Sequence, residues 1–274
     1  MALHVQNIQW AVRPCTLVGG RPPLWDELTV DCGPILHDEV KVAVKKLKTK
    51  KACGVDGILP EHFKALASTP TGLDLLVELC NICWSFQNTP ESWKMSKVAL
   101  IFMKGDPSIC GNYRPISLLC IGYKIIVSIL LQRLKQGGVE SKIWNTQFGF
   151  RSNSGTFDAL FLLRRIIDDV WSEKQGSAVF VALDWAKAFD CISPEGLLDA
   201  LRRCGLPRAL LDFIRNVYMH RQFFVEDMGK QSEYCSQFHG ISQGCPLSPF
   251  LFILAMTVVM HDASRKCNNY LETF

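Results

Sequence analysis

The chain has 274 residues, 48% of them hydrophobic and 20% charged, which is enough to bury a sizeable core in one large domain or two small ones. That balance excludes a disordered or low-complexity protein, and a net charge of +4 is too small to mark a nucleic-acid binder by itself. The twelve cysteines are scattered through apolar segments, and the opening "MALHVQNIQW" lacks the blocks of a secretory signal, so they read as reduced, packed thiols of an intracellular protein, nuclear or cytoplasmic.

Residues 1–34 carry the least pattern and read as a leader of unclear structure. "KVAVKKLKTKK" (Lys41 to Lys51) follows, with six lysines on one face and Val40, Val44 and Leu47 at helical spacing on the other. It is either a solvated helix face or an edge that attracts phosphates. "ACGVDGILPEHFKAL" turns on two glycines and an aspartate before Pro60 opens a helix carrying Phe63, and a long apolar helix runs on through Trp84. Cys80 and Cys83 there have metal-like spacing but no second pair or nearby histidine to complete a tetrahedral site.

"WKMSKVALIFMKGDPSICGNYRPISLL" reads as two strands, around Val98 to Met103 and from near Tyr113, joined across the turn "KGDP" and carrying Lys97, Lys104 and Arg114. Apolar residues at spacings of three and four predict helices at "IGYKIIVSILLQRLK" and "SGTFDALFLLRRIIDDVW". "VFVALDWAKAFDCI" (Val179 to Ile192) then starts as a strand apolar on both faces, as in the centre of a covered sheet, and ends in Asp184. Beyond it, Ser193 caps a helix with Pro194 in its first turn and Gly205 after its end, and another helix runs through Tyr218. "QFFVEDMGKQSEYCSQF" reads as a hairpin, "GISQGCPLSP" as a loop, and Ser248 and Pro249 cap a last helix. Its run from Phe250 to Met260 is too short to span a bilayer.

An aspartate at the open end of a buried strand can cap a turn or hold a divalent cation, since Mg²⁺ prefers oxygen ligands and keeps positions for water and phosphate. The segments "KACGVDGILPEHFK", "LIFMKGDPSICGNYRPISLLCIGYKII", "QFGFRSNSGTFDALFLLRRI", "VALDWAKAFDCI" and "GISQGCPLSPFLF" bear on that choice. Together, in this order, they resemble the reverse transcriptase of non-LTR (LINE-like) retrotransposons over about Lys50 to Phe252.

The resemblance implies an α+β right-hand polymerase fold, with helix-rich fingers and a partial palm sheet, over residues 35–274. It implies an RNA-directed DNA polymerase working on an RNA template and a DNA primer with dNTPs and Mg²⁺ (or Mn²⁺), with no membrane involved. Asp184 is similar to the family's first catalytic, metal-binding aspartate. Phe189 matches its steric gate against a ribose 2′-hydroxyl, with a core aromatic as the plainer reading. Gln243 and Gly244 resemble the loop that packs on the incoming nucleotide, where glycine admits close backbone approach and glutamine offers both donor and acceptor. Lys104 and Arg114 match cations of the fingers hairpin that face the triphosphate, and Gly149, Phe150 and Arg151 match a template-side element. Asp190 is open between a structural role and a metal contact.

The family's paired aspartates, on a hairpin after the glutamine–glycine loop, have no counterpart before Phe274, and the adjacent Asp168 and Asp169 fall on a helix upstream. The expectation is therefore a domain truncated before that hairpin and the thumb, inactive as it stands. The alternatives are a non-catalytic nucleic-acid-binding fragment or pseudogene product and, less favoured because of Phe189, an RNA-dependent RNA polymerase.

Overall fold

The computed structural model describes residues 20–173, 185, 187–227 and 229–271. Helices α1 (His37–Lys46), α2 (Pro60–Ala67), α3 (Pro70–Ser85) and the short α4 (Glu91–Lys94) lead into strands β1 (Met95–Phe102) and β2 (Tyr113–Leu118). Helices α5 (Ile121–Gln136), α6 (Thr156–Ser172), α7 (Pro194–Arg203) and α8 (Arg208–Tyr218) follow. Strands β3 (Arg221–Asp227), β4 (Lys230–Gln231) and β5 (Cys235–Gln237) and helix α9 (Ser248–Leu271) complete a mixed α+β structure. The strand expected over 179–183, and Asp184 at its end, lie outside the described residues.

Local chemistry explains the element ends. The two helices expected from Pro60 and on through Trp84 are both present, and the second starts at Pro70, where Thr69 Oγ1 accepts a hydrogen bond from Gly72 N at 3.2 Å. Ser193 caps α7 in the same way, accepting from Gly196 N at 3.0 Å. Gly205 ends that helix at φ +81°, and a side chain there would sit 2.2 Å from the carbonyl oxygen of Asp26.

Helix α5 is buried nearly all round, through Ile121, Tyr123, Ile125, Ile126, Val127, Ile129, Leu130 and Leu134, so it serves as the axis of the core rather than as a surface helix. Helix α1 packs on α5 and α3, and α7 packs on α8 and α9. Residues 20–35 form no helix or strand and are tied to this body by backbone bonds, Leu24 N to Arg203 O at 2.9 Å and Leu28 N to Gly205 O at 2.7 Å, and by side chains. The Asn81 side chain accepts from Ile35 N at 2.7 Å and donates to Ile35 O at 2.9 Å. Arg133, 1% exposed, donates to both carboxylate oxygens of Glu39 at 2.6 and 2.7 Å, to Gly33 O at 2.7 Å and to Pro34 O at 2.8 Å. Farther along, Arg203 holds both oxygens of Asp262 at 2.8 Å, and Arg21 closes on the same carboxylate at 2.5 Å.

The sheet has the order β2-β1-β3-β4, with β5 also paired to β3. Strands β1 and β2 form the expected antiparallel hairpin, with Ile101 opposite Arg114 and Phe102 opposite Tyr113. Strand β3 runs parallel to β1, Met95 opposite Gln222 and Val98 opposite Val225, so the two hairpins read separately in the sequence share one sheet.

Candidate functional site

Side chains on a strand alternate between faces, so Ser96, Val98 and Leu100 of β1, Tyr113, Pro115 and Ser117 of β2, and Phe223, Val225 and Asp227 of β3 point to one side. They floor a cleft of about 770 Å³, within the usual size of small-molecule sites. Its rim carries Arg114, Lys187, Asp190, Lys230, His239, Ser242 and Gln243. The floor is largely apolar and the rim polar, which suits a ligand with a flat apolar part and a charged end.

The Gln243–Gly244 loop is docked onto β2. Ser117 N donates to Gln243 O at 2.9 Å, and Gly244 stands at φ +123°, where a Cβ would lie 2.5 Å from Ser117 O. Only glycine fits that approach. Behind the loop, Cys245 Sγ lies 3.1 Å from the Tyr123 hydroxyl and 3.7 Å from that of Tyr218, which also reaches Ser248 Oγ at 2.9 Å. Burial pushes both phenols well above the usual tyrosine range. Between the two rings, 5.8 and 5.7 Å from their centroids, sits the guanidinium of Arg221, 1% exposed and with no hydrogen-bond partner on its three nitrogens.

The turn after Trp185 forms the opposite lip. Lys187 adopts φ +51°, and its carbonyl accepts from Asp190 N at 2.9 Å and Cys191 N at 3.1 Å. Ile241 N donates to Phe189 O at 2.9 Å and Gly240 N to Ile192 O at 2.7 Å, tying this turn to the Gln243 loop. Asp190 is exposed at the lip, yet its carboxyl is held above the ordinary range, chiefly by lost solvent, with the Gln243 side chain and the Lys187 ammonium drawing it back down.

The structure thus brings Arg114 and Gln243 to one cleft, with Gly244 packed beside them on Ser117, and adds Asp190 to them. Lys104 is exposed on the loop after β1 and does not line it. Phe189 turns away: its ring stacks on Phe252 at 4.8 Å and 14° and meets Phe150 edge-on at 6.1 Å, half-buried against the core. Phe150 is 57% exposed, Gly149 O accepts from Gln147 Nε2 at 3.0 Å, and Arg151 Nη1 reaches Asn145 O at 3.4 Å, so this element meets the Phe189 ring and does not line the cleft. Asp168 and Asp169 are paired with Arg164 at 2.9 Å and Arg165 at 3.8 Å, one helical turn away on α6. Sequence reading passed over Lys187 and His239, and the alternation of β3 was the signal that could have placed Asp227.

Among the described residues Asp190 and Asp227 are the carboxylates that line the cleft, and no group of three or more His, Cys, Asp or Glu side chains able to hold a metal stands there. The described donors do not by themselves fit a divalent cation. Cys80 and Cys83 form no disulfide, and burial pushes Cys80 up to about 12 and Cys83 to about 11, so neither is a ready thiolate ligand. Among the described residues no helix is long and apolar enough to cross a membrane.

A family model described as "Reverse transcriptase (RNA-dependent DNA polymerase)" matches residues 102–274. A 149 kDa protein of transposon TX1 from Xenopus laevis is 28% identical over 245 residues, covering 85% of this chain and 18% of that protein. The RNA-directed DNA polymerase from mobile element jockey of Drosophila funebris is 30% identical over 230 residues, 82% of this chain and 24% of its own length. The Pol polyprotein of retrotransposable element R2DM from Drosophila melanogaster is 28% identical over 220 residues, 80% and 20% respectively. The chain spans about a fifth to a quarter of the length of these relatives.

Proposed function

The chain belongs to the reverse transcriptase (RNA-dependent DNA polymerase) family, with relatives among non-LTR retrotransposons, and from that premise we propose that its cleft is the nucleotide site of an RNA-directed DNA polymerase. The observation that carries this reading is the docking of the Gln243–Gly244 loop onto β2, which puts Gln243 and Arg114 on the rim of one cleft. In this reading the β1–β2 hairpin is the fingers element of a right-hand polymerase, and β3 with its neighbours lies against the palm. An RNA template and a DNA primer approach the lip formed by 187–191, with Gly149, Phe150 and Arg151 on the template side.

Each addition joins the primer 3′ oxygen to the α-phosphorus of a dNTP and releases pyrophosphate. Arg114 meets the negative phosphates with a fixed cation, where preorganised charge acts most strongly on charge that develops in the reaction. The Gln243 amide offers both donor and acceptor to the nucleotide. A gate role for Phe189 requires its ring to leave the stack on Phe252, or its backbone to shape the pocket from where it stands. Reverse transcriptases use divalent metal ions. In this reading Asp184 would hold the Mg²⁺ or Mn²⁺, which would supply positive charge at the phosphates.

The test is primer extension on an RNA template with dNTPs and Mg²⁺, using the chain alone and within a polypeptide of the relatives' length, each with and without Asp184→Asn. Extension that disappears in the variant supports the reading, and extension that survives it refutes the assignment of Asp184. A second reading, non-catalytic nucleic-acid binding, is favoured by the exposure of Lys41, Lys45, Lys46, Lys48, Lys50 and Lys51 on and after α1. It predicts RNA binding that weakens steeply with salt and no extension in any context.

A further inference from the structure

We propose that Cys245 is an oxidisable thiol of this chain, reacting with peroxides, and that its oxidation lifts the Gln243–Gly244 loop off β2. The chemistry stands apart from the polymerase reading, whereas its consequence for nucleotide binding rests on that reading. Geometry separates this sulfur from other buried cysteines. Cys245 Sγ has two hydroxyl neighbours, Tyr123 at 3.1 Å and Tyr218 at 3.7 Å, each able to donate to it. The Arg221 guanidinium lies against both rings, 1% exposed and without a hydrogen-bond partner on any nitrogen, and its charge acts on both hydroxyls. A buried cation without a counter-ion favours negative charge on a neighbouring ionisable group. The Lys124 ammonium faces the same place: burial pulls it below its ordinary range, and the Cys245 and Cys120 sulfurs draw it back up. Two cations and two donors around one sulfur make the electropositive surroundings in which a thiol becomes a nucleophile.

Other buried thiols lack this setting. Burial pushes Cys80 and Cys204 up to about 12, and Cys120, which Lys124 also reaches, is pushed to about 11 by burial and the Asp56 carboxylate. Cys245 is 3% exposed, so reaction requires its loop to open. That opening breaks little: the loop's backbone bond to β2 runs from Ser117 N to Gln243 O at 2.9 Å, and Ser242 Oγ within it is buried without a partner. The sulfur then attacks one peroxide oxygen, and the S–O bond forms as the O–O bond breaks. Sulfur is oxidised by two electrons to a sulfenic acid, and the departing oxygen takes the thiol proton and leaves as water. Between Sγ and the two phenols there is no room for the added oxygen, so the loop stays off β2 and Gln243 leaves the rim until a thiol reductant restores the cysteine.

The experiment is timed treatment of the folded chain with hydrogen peroxide, trapping of sulfenic acid with dimedone and peptide mass spectrometry, for the wild type, Arg221→Met, Lys124→Gln and Cys245→Ser. The inference predicts that Cys245 is labelled about tenfold faster than Cys80 and Cys204, and that each cation variant slows Cys245 alone by about threefold or more. Hydrogen exchange reads the loop: the Ser117 amide loses protection in the oxidised wild type, regains it with dithiothreitol, and is unmoved in peroxide-treated Cys245→Ser. Labelling of Cys245 no faster than that of Cys80 and Cys204, or unslowed in both cation variants, overturns the inference. So does oxidation of Cys245 that leaves the Ser117 amide protected, and so does a joint rise at all three cysteines in both cation variants, which marks loosened packing. Calorimetric titration with a dNTP keeps the two readings apart. Oxidation that frees the Ser117 amide and abolishes dNTP binding supports both. The same release in a chain that never binds a dNTP supports the inference and sinks the polymerase reading.

Discussion

Replacing Gly244 with alanine tests whether the docking of its loop onto β2 builds the cleft. Two costs follow from the structure. The backbone at φ +123° is a glycine conformation, and holding an alanine there costs about 1–3 kcal/mol. The new Cβ would also lie 2.5 Å from Ser117 O, far inside contact distance, so the loop or the strand must retreat. Retreat opens the 2.9 Å bond from Ser117 N to Gln243 O, which contributes about 1 kcal/mol. The expected loss is about 2–4 kcal/mol, read as a lowered urea midpoint at unchanged slope. Because the same movement carries Gln243 off the rim, dNTP affinity should fall in parallel, at urea concentrations where the protein is still folded. A variant with the wild-type midpoint and wild-type nucleotide affinity would show that the loop does not rest on β2 in solution.

Arg133→Ala removes a buried guanidinium that satisfies Glu39 and the carbonyls of Gly33 and Pro34, and should cost about 3–5 kcal/mol, measured by urea unfolding. Hydrogen exchange should rise first at 33–35, and unchanged protection there would refute the clamp. The Arg203 and Arg21 guanidiniums hold Asp262 down at about 2, so its contribution to stability, about 2 kcal/mol, is fully present above the ordinary carboxylate value and lost as pH falls through about 2. Asp262→Asn should flatten the acid limb of the stability curve between about pH 4 and 2, and an unaltered limb would place the effect elsewhere. Arg221→Met, which replaces a buried cation without hydrogen-bond partners by an apolar chain, should leave the urea midpoint unchanged or raise it, and a loss above about 2 kcal/mol would show that the tyrosine faces fully compensate the burial.

What the sequence made legible was local. The turn signal "KGDP" marked the β1–β2 hairpin, Ser193, Pro194 and Gly205 marked the ends of α7, and the apolar periodicity of 121–136 marked α5. What stayed illegible depends on distant partners. Nothing near Met95 announces a parallel neighbour at Gln222, so the shared floor of the cleft could not be read. The left-handed turn at Lys187 has no glycine or asparagine to signal it. Composition cannot distinguish Arg133 and Arg221, both fully buried, from the solvated arginines of α6, because burial of a charge is decided by what else reaches the same place. The motif at Phe189 identified the residue, but its ring direction is set by Phe252, sixty-three positions later.

The parallel pairing of β1 with β3 also governs when the cleft can exist. Its two walls are about 130 residues apart in the chain, so most of the intervening helices must be in place before the pairing is worth its loop-closure entropy. On a ribosome adding about 5–20 residues per second, β1 waits about 6–25 s for its partner. During that interval the β3-facing edge of β1 carries unpaired amides and carbonyls next to Val98 and Leu100, a template for the wrong strand. The cleft is thus among the last features to form, and the nascent β1–β2 hairpin is a stretch in need of shielding while the rest of the chain is made.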